Sequence, residues 1–188
     1  MAENDDRREA YLGKTRAEVS ALTDAGLVMS GNAFSQILLM KGDLDAGELD
    51  AGAEGARLLS GADGDALRAA LGALGYAPED WAGLAAVLDD GLTRPSCDLV
   101  RLAVATLDPA TIVACDESAA DVLREAYADE LSAIADLDEA MLAPGHVADV
   151  LGMRVMNLGG FEAALDDAKA KQAMWARLKR LPPLAEPF

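Results

Sequence analysis

Ser30-Gly31-Asn32-Ala33-Phe34-Ser35-Gln36-Ile37-Leu38-Leu39-Met40-Lys41-Gly42-Asp43 is the stretch on which the fold class turns. Gly31-Asn32 is a turn pair, and the apolar run 37–40 behind it has the composition of a strand buried on both faces. Upstream, residues 6–25 pattern as an amphipathic helix. Leu12, Thr15, Val19 and Leu22 share one side, and Gly26 stops it. Downstream, residues 43–55 are acidic and rich in Gly and Ala, which reads as a loop. Then helical and strand patterns alternate: a helix over 63–74 stopped by Gly75, a strand over 84–88, and a helix opened by Pro95-Ser96 with Ser96 as N-cap. A strand over 111–114, a helix over 117–141 broken near Asp136, a strand over 154–158 and a closing helix over 162–181 complete the series. Strand–helix alternation predicts an α/β protein: a three-layer α/β/α sandwich around a four-stranded parallel sheet, in one domain spanning 1–188.

Composition narrows the class of partner. The 188 residues carry 33 Asp and Glu against 16 Lys and Arg, a formal net charge of −17. Nucleic-acid affinity depends on Lys and Arg meeting phosphates, so this field repels a duplex unless one face is locally basic. The closing helix is that exception, with Lys169, Lys171, Arg177, Lys179 and Arg180 close together. Lys169 and Lys171 are therefore the candidate nucleic-acid contacts, against the alternative that basic residues in a last turn complement the helix dipole. No apolar run approaches the roughly 20 residues of a membrane crossing. Charges stand where a secretory signal is apolar, so a cytoplasmic protein is expected, with no membrane partner. Cys97 and Cys115 have neither zinc nor redox spacing and are expected to be free thiols.

Four segments resemble the uracil-DNA glycosylase superfamily, above all its iron–sulfur fourth family. Residues 30–43 follow the outline of a G-E-G-N-P-like turn and a strand ending in V-G-E-A-P-G. Ala56-Arg57-Leu58-Leu59-Ser60-Gly61-Ala62-Asp63-Gly64 keeps the rhythm of G-R-P-F-V-G-P-A-G. Asp108-Pro109-Ala110-Thr111-Ile112-Val113 is similar to the P-x-x-I-V strand. Gly160 to Asp166, with Lys171 and Trp175 after it, keeps the spacing of H-P-S-x-L-L-R and its following Lys and Trp. The resemblance implies a glycosylase-like fold and a DNA-repair ancestry. It also implies a pocket equivalent to Gly42, Leu44, Leu59, Ala85 and Gly160. At these positions the machinery is missing. Asp43 stands for the motif-one Glu and Asp45 for its Pro. Leu59 replaces the aromatic that stacks on the base, Ala85 the Asn that reads uracil, and Gly160 the His that stabilises the oxyanion. Of the cluster cysteines only Cys97 lies near an expected position, so no iron–sulfur cluster and no other cofactor is expected.

The implied function is a degenerate glycosylase-like protein without uracil excision, retaining weak nucleic-acid or nucleobase binding or serving a protein partner; the oligomeric state stays open. The alternative is an enzyme of altered hydrolytic chemistry, with Asp43 and Asp45 as candidate catalytic carboxylates that activate water. Asp43, Asp45, Glu48 and Asp50 sit after a strand, where open α/β sheets bind ligands, yet lack the ligand spacing of a calcium loop. No metal is expected. His146 reads as a surface-loop residue, Cys115 as a buried inert thiol, and Trp175 as core packing alongside Phe161, Leu165 and Leu178.

Overall fold

The computed structural model describes residues 13, 16–49 and 58–184. The protein is α/β, and its sheet has six strands rather than four. They are β1 (Leu27–Gly31), β2 (Ile37–Lys41), β3 (Ala82–Leu88), β4 (Thr111–Ala114), β5 (Val147–Val150) and β6 (Met153–Asn157), in spatial order β1-β3-β2-β4-β6-β5. The four strands expected from the sequence form a parallel centre, β3-β2-β4-β6, and antiparallel β1 and β5 extend it at either edge.

β2 is buried at all five positions, as a central parallel strand must be. Because side chains alternate across a sheet, Ile37 and Leu39 enter one core and Leu38 and Met40 the other. The first core is closed by α3 (Ala62–Leu74) and α8 (Ala168–Leu178), through Leu67, Leu71, Met174 and Leu178. The second is closed by α1 (residues 16–24), α4 (Cys97–Leu107) and α5 (Glu117–Ala126), through Leu22, Val100, Val104 and Leu123. Helices therefore cover both faces. Burial of each such Leu is worth about 1.5–3 kcal/mol, and β2 contributes to both cores at once.

The edge strands escape local sequence signals for different reasons. β1 is a five-residue run between Gly26 and the Gly31-Asn32 turn, with a register irregularity between Leu27 and Met29. β5 and β6 are joined through Leu151 and Gly152, whose φ angles are +54° and +84°. Two left-handed residues make a type I′ hairpin, which normally announces itself as Asn-Gly. Leu in the first position hides it.

Helical boundaries also differ from expectation. Residues 117–141 form three pieces: α5, α6 (Ala128–Ser132) and α7 (Leu137–Ala140). Tyr127 leaves the helical region. Asp136 accepts from the backbone N–H groups of Asp138 and Glu139, restarting the chain as a new N-cap. In the closing segment a 3-10 turn (Ala163–Asp166) is separated from α8 by Asp167, which is extended and caps α8 through Ala170 N–H at 2.7 Å. The acidic stretch expected to be loop contains a single helical turn, α2 (Ala46–Leu49). Asp50 and the remainder of that stretch, like the expected helical residues Leu12 and Thr15, lie outside the described residues.

Strand order fixes where a crevice can open. The β2–α3–β3 crossover covers one face, and β3–α4–β4 crosses back over the other, so the chain departs from β2 and β4 in opposite directions. The carboxyl ends of β2 and β4 are the topological switch point, where open sheets bind ligands.

Candidate functional site

A pocket of about 260 Å³ occupies that position, walled by Lys41 at the end of β2 and Asp43 after it, by residues following β4 (Cys115, Asp116) and β6 (Gly160 to Ala163), and by Asp63 from the start of α3.

Lys41 ends the apolar strand run and its side chain is 3% exposed. Its Nζ lies 2.6 Å from Asp63 Oδ2, 2.8 Å from Glu48 Oε2 and 3.0 Å from Glu162 Oε2. Burial pulls the ammonium down. The hydrogen bonds to Asp63, Glu48 and Glu162, with the charge of Asp63, outweigh it and hold Lys41 above the ordinary lysine range. Glu48 and Asp63 are buried with it, whereas Glu162 stands at the mouth. The other carboxylate oxygen of Glu48, Oε1, accepts from Leu59 N–H at 2.8 Å. Leu59 is a non-glycine residue at φ +60°, a conformation that costs about 1 kcal/mol or more. Arg68 donates to the Leu59 carbonyl at 2.8 Å and completes the clamp.

Asp116 ties the end of β2 to the start of α5. One carboxylate oxygen accepts from Gly42 N–H at 2.8 Å and Asp43 N–H at 3.0 Å, and the other caps α5 through Ala119 N–H at 2.8 Å. A Cβ on Gly42 would fall 2.5 Å from Ser118 Cβ, so the close approach requires glycine. Ser118 Oγ in turn donates to Asp43 Oδ1 at 2.7 Å. Asn157, fully buried at the end of β6, donates to Glu117 Oε2 at 2.9 Å and accepts from Gly159 N–H at 2.7 Å. It thereby launches the turn of Gly159 and Gly160, at φ +72° and +98°. Gly160 and Phe161 both donate to the Cys115 carbonyl, at 3.2 and 2.8 Å.

Cys115 is buried, and burial followed by the charges of Asp116 and Asp63 drives its thiol far above the ordinary range. It stays protonated and is no nucleophile. The wall therefore presents four carboxylates, those of Asp43, Asp63, Asp116 and Glu162, to one ammonium that is already triply paired.

Of the residues named from sequence, Asp43 and Gly160 line the pocket, and Gly42 lies directly beside it. Leu59 and Ala85 sit fully buried in the core, with Leu44 half-buried against that core. Asp45 is turned to another purpose, since its Oδ1 caps α2 by accepting from Gly47 and Glu48 N–H at 2.7 and 2.9 Å. Lys169 and Lys171 are exposed, and they stand in the first turn of α8 rather than the last. Trp175 is 37% exposed and lines a groove between α3 and α8 instead of packing in the core, because the turn at 163–167 shifts the face that α8 buries. His146 brings a ring nitrogen within 4.8 Å of carboxylate oxygens of Asp136 and Asp138, none of which lines the pocket. The sequence alone does not single out Lys41, Asp63 or Asp116, and it presents Glu48 as an exposed acid. The available signal was a lysine directly continuing a buried apolar run, which demands carboxylates from elsewhere in the chain.

Compared with known proteins, the chain matches no family model and no curated sequence. No helix among the described residues is long and apolar enough to cross a membrane.

Proposed function

We propose that the protein is a uracil-DNA glycosylase-like domain that has lost uracil excision. Its pocket over β2, β4 and β6 takes a small neutral or cationic nitrogenous ring, such as a free nucleobase, in place of a DNA strand. The observation that carries this reading is the balance of charge in the pocket wall: four carboxylates against one ammonium that Asp63, Glu162 and Glu48 already neutralise. Such a wall accepts hydrogen bonds from ring N–H and amino groups and repels phosphodiesters. Its volume of about 260 Å³ lies below the roughly 300–1,000 Å³ of drug-sized ligand sites, which suits a single ring.

Two further features support it. The four central strands of the sheet are parallel and the pocket lies at their carboxyl ends, an arrangement in keeping with this reading. Gly160 stands where the resemblance places the oxyanion-stabilising His, and no atom lies within 4 Å of where its Cβ would be, so room remains there without an imidazole. The hydrolytic alternative rests on Asp43 alone, since Asp45 is occupied in capping α2.

Calorimetric titration with free uracil, cytosine and adenine, beside undamaged, uracil-containing and abasic oligonucleotides at low salt, tests the reading. Saturable binding of a free base is expected, weakened about tenfold or more by Asp43→Lys, with no binding of any oligonucleotide and no release of uracil. Preferential binding of the uracil or abasic strand, or measurable excision, would overturn it; so would the failure of all three bases to bind.

A further inference from the structure

Lys41 commits all of its hydrogen-bonding capacity inside the protein. An ammonium carries three N–H groups, and Nζ has three carboxylate partners, Asp63, Glu48 and Glu162, at 2.6, 2.8 and 3.0 Å. The other side-chain donor in the pocket wall is the Cys115 thiol, a weak one, which points to the Val113 carbonyl at 4.0 Å. Backbone donors after β2 and β6 are committed as well. Gly42 and Asp43 N–H go to Asp116, and Gly160 and Phe161 N–H go to the Cys115 carbonyl. Among the described residues, no side-chain donor of this wall is left for a guest.

Acceptors do remain. Asp43 gives Oδ1 to the Ser118 hydroxyl at 2.7 Å, and Glu162 gives Oε2 to Lys41. The second oxygen of each carboxylate has no partner among the described residues, and both side chains are exposed at the mouth. Asp43 arrives from the end of β2 and Glu162 from the segment after β6, while Phe161 adds apolar surface to the wall. A guest that only donates matches this wall. Hydrogen bonds from a cation to a carboxylate are about twice as strong as neutral ones. A carbonyl or carboxylate in the guest would find no side-chain donor, and an acceptor desolvated without a partner is costly.

Resting on the reading of this pocket as the ligand site, we infer that it selects a planar cationic nitrogen group on a single ring. The group is an amidinium, or an aminated ring protonated beside its amino group, held by Asp43 and Glu162. The same two carboxylates disfavour oxo-substituted rings such as uracil. A formal net charge of −17 on the chain draws such cations toward the protein.

Benzamidinium, benzamide and benzoate share one ring and nearly one size. They present donors alone, a donor beside a carbonyl, and acceptors alone. Calorimetric titration of the full chain at pH 7 with these three, and with cytosine beside uracil, reads the selection. Benzamidinium is expected to saturate, benzamide to bind about tenfold or more weakly, and benzoate not to bind; cytosine should exceed uracil about tenfold. Asp43→Asn keeps an oxygen for Ser118 and removes the charge. It should weaken benzamidinium about tenfold and leave benzamide within about twofold, and Glu162→Gln should act alike. Benzamide matching benzamidinium, or uracil matching cytosine, would overturn the selection while leaving the pocket a nucleobase site. Benzamidinium binding without any free base would uphold the selection and overturn the nucleobase reading. Parallel loss of benzamidinium and benzamide in both variants would overturn the role of the two carboxylates, and no binding of any probe would overturn the whole.

Discussion

Replacing Lys41 by Met keeps the length and volume of the side chain while removing the one cation that Glu48 and Asp63 share. Both carboxylates are buried, so the variant leaves two uncompensated charges behind the sheet. Breaking a buried ion pair by removing one partner costs about 3–5 kcal/mol. Glu162 adds little to this figure, because its side chain is 60% exposed and exposed pairs are worth less than about 1 kcal/mol. At this chain length 3–5 kcal/mol corresponds to a Tm lowered by about 6–20 °C. Urea unfolding followed by circular dichroism at pH 7 measures the loss directly. In the wild type the pH dependence of this contribution lies at the alkaline end. Because Lys41 is held above its unfolded value, its contribution is complete below about pH 10 and is lost only as pH rises through the folded value. Glu48→Gln added to Lys41→Met should recover part of the loss, since Gln still accepts from Leu59 N–H. A Lys41→Met variant within about 1 kcal/mol of wild type at pH 7 would refute the claim that this network is desolvated.

Three further outcomes follow from the same geometry. Asp116→Ala removes the cap of α5 and strands the Gly42 and Asp43 N–H groups, and should cost about 2 kcal/mol by urea unfolding. Leu151→Asn relieves a left-handed leucine in a type I′ turn and should raise stability by about 0.5–1 kcal/mol; a loss would show that the exposed Leu151 side chain contributes packing that outweighs its backbone strain. Titration with a thiol reagent at pH 8 should modify Cys97 alone in the native protein and both cysteines in denaturant. Rapid native reaction of Cys115 would contradict its burial and its raised thiol.

The sequence by itself determined the α/β class, the four central strands, the boundaries of α3 and the start of α4, because each rests on local signals. A continuous apolar run such as 37–40, a Gly75 in the left-handed region and a Ser96 cap act within a few residues of themselves. The same locality explains what was missed. β1 and β5 are strands because β3 and β6 offer them free edges, and the Leu151-Gly152 hairpin lacks the residues that usually mark one. Only the tertiary structure decided the site. Lys41 meets Glu48 seven residues on and Asp63 twenty-two residues on, while Asp116 reaches back across more than seventy residues to the end of β2. None of these spacings is a motif. They arise because the sheet places β2 and β4 side by side, and a lysine drawn into a low-dielectric crevice is stable only where the fold has brought carboxylates to meet it.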